Sequence, residues 1–242
     1  MTTAATLKPS CKSPEPPPAL DGDTEFVFEI PADAHTLDGF LRWEDSETYP
    51  RYGRIDFLGG RLFIDMAAAE LHSHETLKSQ LGLAIGTIVR GQNLGRFYIE
   101  NTRYVSPESD SGVEPDVLVC LYDSIRAGRL RFVESERDAA RCMFVEGSAD
   151  LVAEIVSNSS VGKDTNELRN RYFAAGVREY WILDARGMRM TFDLLIRGDD
   201  DWREAAPDAE GFRRSVVLGR RFRVDRVTDA VGLPDYDVQF RE

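Results

Sequence analysis

Two carboxylates set in apolar runs are the residues of this chain best suited to chemistry. Asp116 stands in Glu114-Pro115-Asp116-Val117-Leu118-Val119, and Glu154 in Asp150-Leu151-Val152-Ala153-Glu154-Ile155-Val156. Strand alternation and apolar neighbours predict that each acid is buried, and a buried carboxylate needs a partner. Oxygen-rich sites suit Mg²⁺ or Mn²⁺, and a metal held between two strand carboxylates can activate water and neutralise charge on a transferring phosphoryl group. Taken alone, these residues leave a structural alternative open, in which Asp116 caps a turn and Glu154 pairs with an arginine.

The elements that carry the acids follow from pattern. Residues 116–121 and 151–156 are nearly continuous apolar runs, as in strands buried on both faces, and are read as central strands. Another strand is predicted over residues 96–105. Ahead of them, Arg54-Ile55-Asp56-Phe57-Leu58 and Arg61-Leu62-Phe63-Ile64-Asp65 flank Gly59-Gly60, a dipeptide that supplies the positive φ values of a tight hairpin. Leu77, Leu81, Ile85 and Ile88 recur at helical spacing and predict a helix that ends near Gly91 and covers a sheet. Leu37, Phe40, Leu41 and Trp43 predict a shorter helix from Thr36, packed as a lid or flank. Residues 123–149 are charged and irregular and are read as a surface excursion. Asp164, with Glu167 three residues on, is read as the N-cap of a helix bearing Leu168, Tyr172 and Ala175, with Gly176 as its stop. Residues 177–183, 188–196 and 215–224 complete the set of predicted strands.

With 242 residues, 42% of them hydrophobic, the chain can bury one sizeable core. Residues 1–24, rich in Pro, Ser, Thr and Ala, are read as a disordered tail, and residues 25–242 as a single domain. No run approaches the roughly 18 apolar residues of a membrane span, and the N-terminus lacks the pattern of a signal peptide, so a cytoplasmic protein without a membrane partner is expected. Cys11, Cys120 and Cys142 form no CxxC pair, which argues against disulfides and structural zinc. The net charge of −12 argues against nucleic-acid binding that relies mainly on phosphate neutralisation. Arginines nevertheless gather at Arg126, Arg129 and Arg131 and at Arg213, Arg214, Arg220, Arg221 and Arg223, as solvated faces or as binding grooves.

The two acidic segments, followed by Tyr172-Phe-Ala-Ala-Gly-Val-Arg-Glu-Tyr-Trp-Ile-Leu-Asp184, resemble the Uma-two restriction endonuclease family of the PD-(D/E)XK nuclease superfamily. The resemblance covers roughly residues 36–227 and lies more in the order of the motifs than in any one of them. It implies a restriction-endonuclease-like α/β fold: a mixed central β-sheet flanked by helices, with an N-terminal β-hairpin and Mg²⁺ bound at the active edge of the sheet. Carried over position by position, it implies Asp116 and Glu154 as catalytic acids and metal ligands, with the carbonyl of Ile155 as a third, backbone ligand. Asp56 falls where such sequences usually have a glutamate just before the hairpin glycine. It therefore resembles an additional acid that can hold a second metal or water, while a plain turn-flanking role stays open. His74 matches a histidine often found at the start of the next helix, where it contacts the active site or caps the helix.

The sequence departs from the superfamily pattern at the lysine. Two residues beyond Glu154 stands Val156, and the helical position to which the basic residue commonly moves, four before Tyr172, is Leu168. Lys163 is the nearest lysine after the strand, and its long stem makes it the expected catalytic substitute, with Arg171 as the second candidate because it shares part of the Leu168 face. His72 and His74, two apart, diverge on a helix, which disfavours a zinc site. No histidine gives Ser157, Ser159 or Ser160 a triad, so they read as a loop, and Tyr180 and Trp181 read as core or dimer face. The expected activity is Mg²⁺- or Mn²⁺-dependent endonucleolytic hydrolysis of nucleic acid, with DNA first, by a homodimer able to cut both strands. Two alternatives stand beside it: a non-catalytic interaction module on a nuclease fold, suggested by the missing lysine and the acidity, and a hydrolase of small nucleotide substrates.

Overall fold

The side chain of Thr36 accepts a hydrogen bond from the Gly39 N–H at 3.1 Å and so starts α1 (Leu37–Glu44). This helix packs Phe40 and Trp43 against Ile55 and Phe57. The latter two lie on β1 (Arg54–Leu58), which pairs with β2 (Arg61–Asp65) from Arg54↔Asp65 to Leu58↔Arg61. Gly59 and Gly60 both have positive φ, 57° and 80°, as a two-residue hairpin turn of this hand requires. The predicted hairpin is therefore formed, and it turns at the predicted glycine pair. The structure, a computed structural model, describes residues 28–50, 52–67 and 69–242; the tail expected over residues 1–24 and Cys11 lie outside the described residues.

A π-helical turn at Leu71–Thr76 runs into α2 (Leu77–Gly91), followed by β3 (Gly95–Ile99), β4 (Arg103–Ser106), β5 (Ser111–Val113) and β6 (Val117–Leu121). Next come α3 (Tyr122–Arg126), β7 (Leu130–Glu134), β8 (Cys142–Gly147) and β9 (Leu151–Ile155). A second π-helical turn at Lys163–Glu167 leads into α4 (Leu168–Ala174), and β10 (Glu179–Asp184) and β11 (Thr191–Arg197) follow. The remaining strands are β12 (Trp202–Glu204), β13 (Arg213–Arg214), β14 (Arg221–Thr228) and β15 (Pro234–Arg241).

The strands form a first sheet in the order β2-β1-β5-β4-β8-β7, a second in the order β12-β11-β10-β9-β6-β3, and a three-stranded sheet β13-β14-β15. Both large sheets are mixed, since β4 runs parallel to β8 and β9 parallel to β10 while their other pairs are antiparallel. The near-continuous apolar sequence of β6, β9 and β10 is explained by burial on both faces. On one face Leu77, Leu81, Ile85 and Ile88 of α2 meet Val117, Val119, Leu151, Ala153 and Trp181. On the other, Leu118, Val152 and Tyr180 meet Leu168 and Tyr172 of α4 together with Leu58, Tyr104 and Val145 of the first sheet. Among the described residues no helix is long and apolar enough to cross a membrane.

Three stretches differ from expectation. Residues 96–105 are two strands in different sheets, because Glu100 and Asn101 take positive φ, 57° and 47°, and break the run. Residues 123–149 hold a helix and the β7–β8 hairpin rather than an irregular excursion. Within its two strands only Leu130 and Val145 are buried, and the short apolar runs at residues 132–133 and 142–145 flank Glu134, Glu136, Arg137, Asp138 and Arg141, so the stretch as a whole has the charged composition of a loop. The late strand begins at Arg221, after a turn over residues 215–220, and pairs along its whole length with β15, a strand that sequence pattern does not predict. Seven of the eight arginines noted as local clusters, all but Arg214, are paired: Arg126 with Asp123, Arg129 with Asp150, Arg131 with Glu146, Arg213 with Glu204, Arg220 with Glu242, Arg221 with Asp208 and Arg223 with Asp225.

Trp181 joins the layers, with its ring centroid 4.8 Å from Phe222 of the small sheet and 5.4 Å from Phe192 of β11, and it has no exposed surface. Trp181→Ala is expected to destabilise the fold by about 3–5 kcal/mol. Urea unfolding followed by far-UV circular dichroism measures this, and a loss below about 1 kcal/mol would contradict the packing described.

Candidate active site

Strand alternation in β1 sends Ile55 and Phe57 toward α1 and leaves Arg54 and Asp56 on the opposite face. Asp116 immediately precedes β6. Glu154 lies on β9, on the α4 side of the sheet, opposite Ile182 of β10. The π-helical turn before α4 contributes Lys163 and Asp164. Hairpin, central strands and helix thus converge on one cavity of about 460 Å³, whose lining includes Arg54, His74, Asp116, Glu154, Lys163 and Asp164.

Asp116 Oδ2 accepts a hydrogen bond from the Ile155 N–H at 2.7 Å. His74 Nε2 stands 3.6 Å from the same oxygen, a charge contact beyond hydrogen-bond range. Glu154 Oε1 accepts from the Tyr172 hydroxyl at 2.6 Å. Asp56 Oδ2 accepts from Arg54 Nε at 3.1 Å and from Lys163 Nζ at 2.7 Å, while its Oδ1 accepts from the Glu114 N–H at 3.0 Å. The Ser160 hydroxyl donates to Asp164 Oδ2, and the buried Asp164 Oδ1 has no hydrogen-bond partner. Between the acids lies the Arg54 guanidinium, with Nη1 3.9 Å from Asp116 Oδ1 and Nη2 3.7 Å from Glu154 Oε2. All four acids are at most 3% exposed.

Burial of so much like charge separates the acids in proton affinity. For Glu154, burial pushes the carboxyl up to about 8, with Arg54 pulling it down and Asp116 and Asp164 pushing it further up. Asp164 is likewise pushed up by burial, to about 6. At Asp116 the effect of burial is outweighed by His74, Arg54 and the Ile155 N–H, which hold it below the ordinary aspartate value. At Asp56 burial is outweighed by Arg54, Lys163 and Arg103, and this acid stays ionised. Burial would lower His74, but Asp116 overrides it and raises the ring's affinity for a proton.

The predicted site residues divide into those that converge and one that does not. Asp56, Asp116, Glu154, His74 and Lys163 gather as described, and Ile155 lines the cavity. His74 contacts Asp116 and does not cap its helix; the capping acceptor is the Glu70 side chain. Arg171 is turned away, donating from Nη1 to the Ser109 carbonyl at 2.5 Å and resting against Gly59. Asp164 is no N-cap: it sits inside the helical turn, with its own N–H bonded to the Ser160 carbonyl at 2.8 Å, and its carboxylate accepts from the Ser160 hydroxyl. Val156 and Leu168, the two usual positions of the lysine, are both buried in the core. Sequence reasoning missed Arg54, whose one signal is its position two residues from Asp56 on a strand, and it took the hydroxyl-bearing Tyr172 for a purely apolar position.

Among the described residues no three or more His, Cys, Asp or Glu side chains form a ready-made metal shell. The donor set nevertheless fits a Mg²⁺-type ion, which binds through one or two carboxylates and keeps several waters. Two observations support the fit: a guanidinium stands between Asp116 and Glu154 as a stand-in cation, and Asp164 Oδ1 is buried without a hydrogen-bond partner.

Mixed sheets flanked by helices behind a β-hairpin define a restriction-endonuclease-like α/β fold. Residues 37–220 match the Uma2 family, described as "Putative restriction endonuclease", and the chain belongs to that family. No curated protein matches the chain. A crystal structure of "a putative nuclease belonging to DUF820" from Anabaena variabilis is similar, with a TM-score of 0.53, 18% identity and coverage of 76% of this chain and 90% of that one. At that identity the likeness speaks for the fold.

A pH signature follows from Glu154. Its carboxyl is ionised above about 4.5 in the unfolded chain but only above about 8 in the folded one, so it lowers stability progressively as pH rises between those values. In metal-free protein the melting temperature of Glu154→Gln relative to the wild type should therefore climb from about pH 5 to about pH 8 and level off above. A difference independent of pH would show that Glu154 titrates normally.

Proposed function

We propose that this chain is a Mg²⁺- or Mn²⁺-dependent nuclease that hydrolyses phosphodiester bonds, with DNA as the first substrate to test. The reading is carried by the placement of Asp116 and Glu154, which face each other across a single guanidinium at the end of the central strands. Burying two acids there, with Asp56 and Asp164 beside them, costs stability that a hydrophobic cluster would not, and such an expense is characteristic of functional sites. Family membership supports the same reaction class.

Asp116 and Glu154 would hold the ion, with the Ile155 carbonyl as a third ligand. A divalent ion so bound supplies a Lewis acid that lowers the pKa of water and offsets charge at phosphorus. Tyr172 fixes the Glu154 rotamer through Oε1 and leaves Oε2 for the cavity side. The Ile155 N–H fixes Asp116 in the same way. Lys163, held by Asp56, places a positive charge beside the acids in place of the absent strand lysine. His74, next to Asp116, can hold a proton at Nε2. Hydrolysis of both strands of a duplex would call for two copies of the chain.

One observation favours a second reading, a catalytically silent module on the nuclease fold: both usual lysine positions, Val156 and Leu168, are closed into the core. Incubation of supercoiled plasmid and of short oligonucleotides with Mg²⁺ or Mn²⁺ separates the two. Cleavage is expected, reduced on the order of a hundredfold or more in Asp116→Ala and in Glu154→Ala. No cleavage with any divalent metal, or cleavage that persists unchanged in both variants, would sink the nuclease reading; cleavage of dinucleotides alone would redirect it to small substrates.

A further inference from the structure

Arg54 has the least settled contacts of any group around the acids. Its Nε is anchored to Asp56 Oδ2 at 3.1 Å. Its terminal nitrogens, at 3.9 Å from Asp116 Oδ1 and 3.7 Å from Glu154 Oε2, are beyond hydrogen-bond range, and the buried Nη2 has no hydrogen-bond partner. The guanidinium is thus held between those two carboxylates by charge, not by directed bonds. Asp164 Oδ1, buried and on a residue that lines the same cavity, is also without a hydrogen-bond partner. Native structures leave few buried polar atoms unsatisfied, and here one donor and one acceptor are left so within a single cluster.

We propose that Arg54 is a resident counter-cation that occupies the divalent-ion position and is exchanged for the ion, its terminal nitrogens leaving Asp116 and Glu154 as the ion is taken up. The proposal rests on the metal-dependent reading given above. Asp56, Asp116, Glu154 and Asp164 offer four negative charges when ionised, against one each from Arg54 and Lys163; Arg103, 3.6 Å from Asp56, is shared with Glu44 and Glu114, and His74 beside Asp116 adds a charge only when protonated. A monovalent ion would only duplicate the charge that the guanidinium already brings. A divalent ion adds charge and accepts the short oxygen contacts that the guanidinium fails to make, so the exchange selects for valence. There is room for the movement: the Arg54 side chain is 27% exposed and lines the cavity, and its anchoring bond at Nε need not break when the terminal nitrogens turn outward. Lys163 cannot take this part, because its ammonium is committed to Asp56 at 2.7 Å and its other acidic neighbour is Asp164.

The test is a calorimetric titration of Mn²⁺ into the full chain as wild type, Arg54→Gln and Arg54→Lys, with thermal melts of each form before and after the metal. Arg54→Gln should take up Mn²⁺ at least about tenfold more tightly than the wild type. Its metal-free melting temperature should fall, since buried acids lose their counter-charge, and Mn²⁺ but not K⁺ at equal ionic strength should restore it. Arg54→Lys, which keeps the charge but not the reach of the fork, should shift affinity in the same direction by a smaller factor, and it serves as the comparison if Arg54→Gln does not fold without metal. Uptake by the wild type with equal or weaker uptake by the variants overturns the exchange and leaves the metal-dependent reading standing. Uptake by the variants alone would make Arg54 a permanent occupant that the ion does not displace, and overturns both the exchange and Mn²⁺-dependent hydrolysis by the wild-type chain. Uptake by none of the three overturns both.

Discussion

Four carboxylates buried in one place, with Arg54 and Lys163 among them and Arg103 and His74 beside them, are the constraint around which this structure is arranged. Like charges in a medium of low polarisability repel over several ångströms, so such a cluster persists only if the surrounding fold holds it by force of packing. The members come from distant parts of the chain: the Asp56–Lys163 pair alone spans 107 residues. The core on both faces of β6, β9 and β10 supplies the necessary rigidity, with α2 on one side and α4 with the first sheet on the other. Hydrophobic burial here stabilises an electrostatic arrangement that would otherwise fly apart.

The same division governs what the sequence discloses. Elements that are apolar on both faces, that carry one apolar stripe at helical spacing, or that turn on a glycine pair are visible because few alternative conformations produce such patterns: β6, β9 and β10, α2, and the β1–β2 hairpin are examples. The β7–β8 hairpin escapes because its short apolar runs flank the charged connection over residues 134–141, which gives the whole stretch the composition of a loop. The break between β3 and β4 escapes because Glu100 and Asn101 carry no glycine to announce their positive φ. β15, with Pro234, Asp235 and Asp237, has the composition of a turn and becomes a strand only through its full-length pairing with β14.

The site shows a similar gradient. Asp116 and Glu154 are legible because an acid within or at the start of an apolar run is costly to bury, and because the order of the motifs around both resembles a known family. Asp164 is not, because an acid near the start of a helix ordinarily serves as a cap, and that ordinary use conceals its burial. Arg54 is concealed in the same manner by the hairpin that carries it. The rule that emerges is chemical: a residue is legible as functional when its local context gives it no routine task, and hidden when it does.

The chain crosses from one large sheet to the other at residues 100–102, between β3 and β4, and again at residues 114–116, between β5 and β6. The two crossings are tied together by the Glu100 N–H, which donates to the Asp116 carbonyl at 3.2 Å. Arg54 and Asp56 belong to the first sheet and Glu154 to the second, so the acids straddle the seam along which the sheets part. Whatever settles among them is gripped from both sides and acts as a rivet through that seam, which makes the chemistry of the cavity and the mechanical union of the two sheets a single property of the molecule.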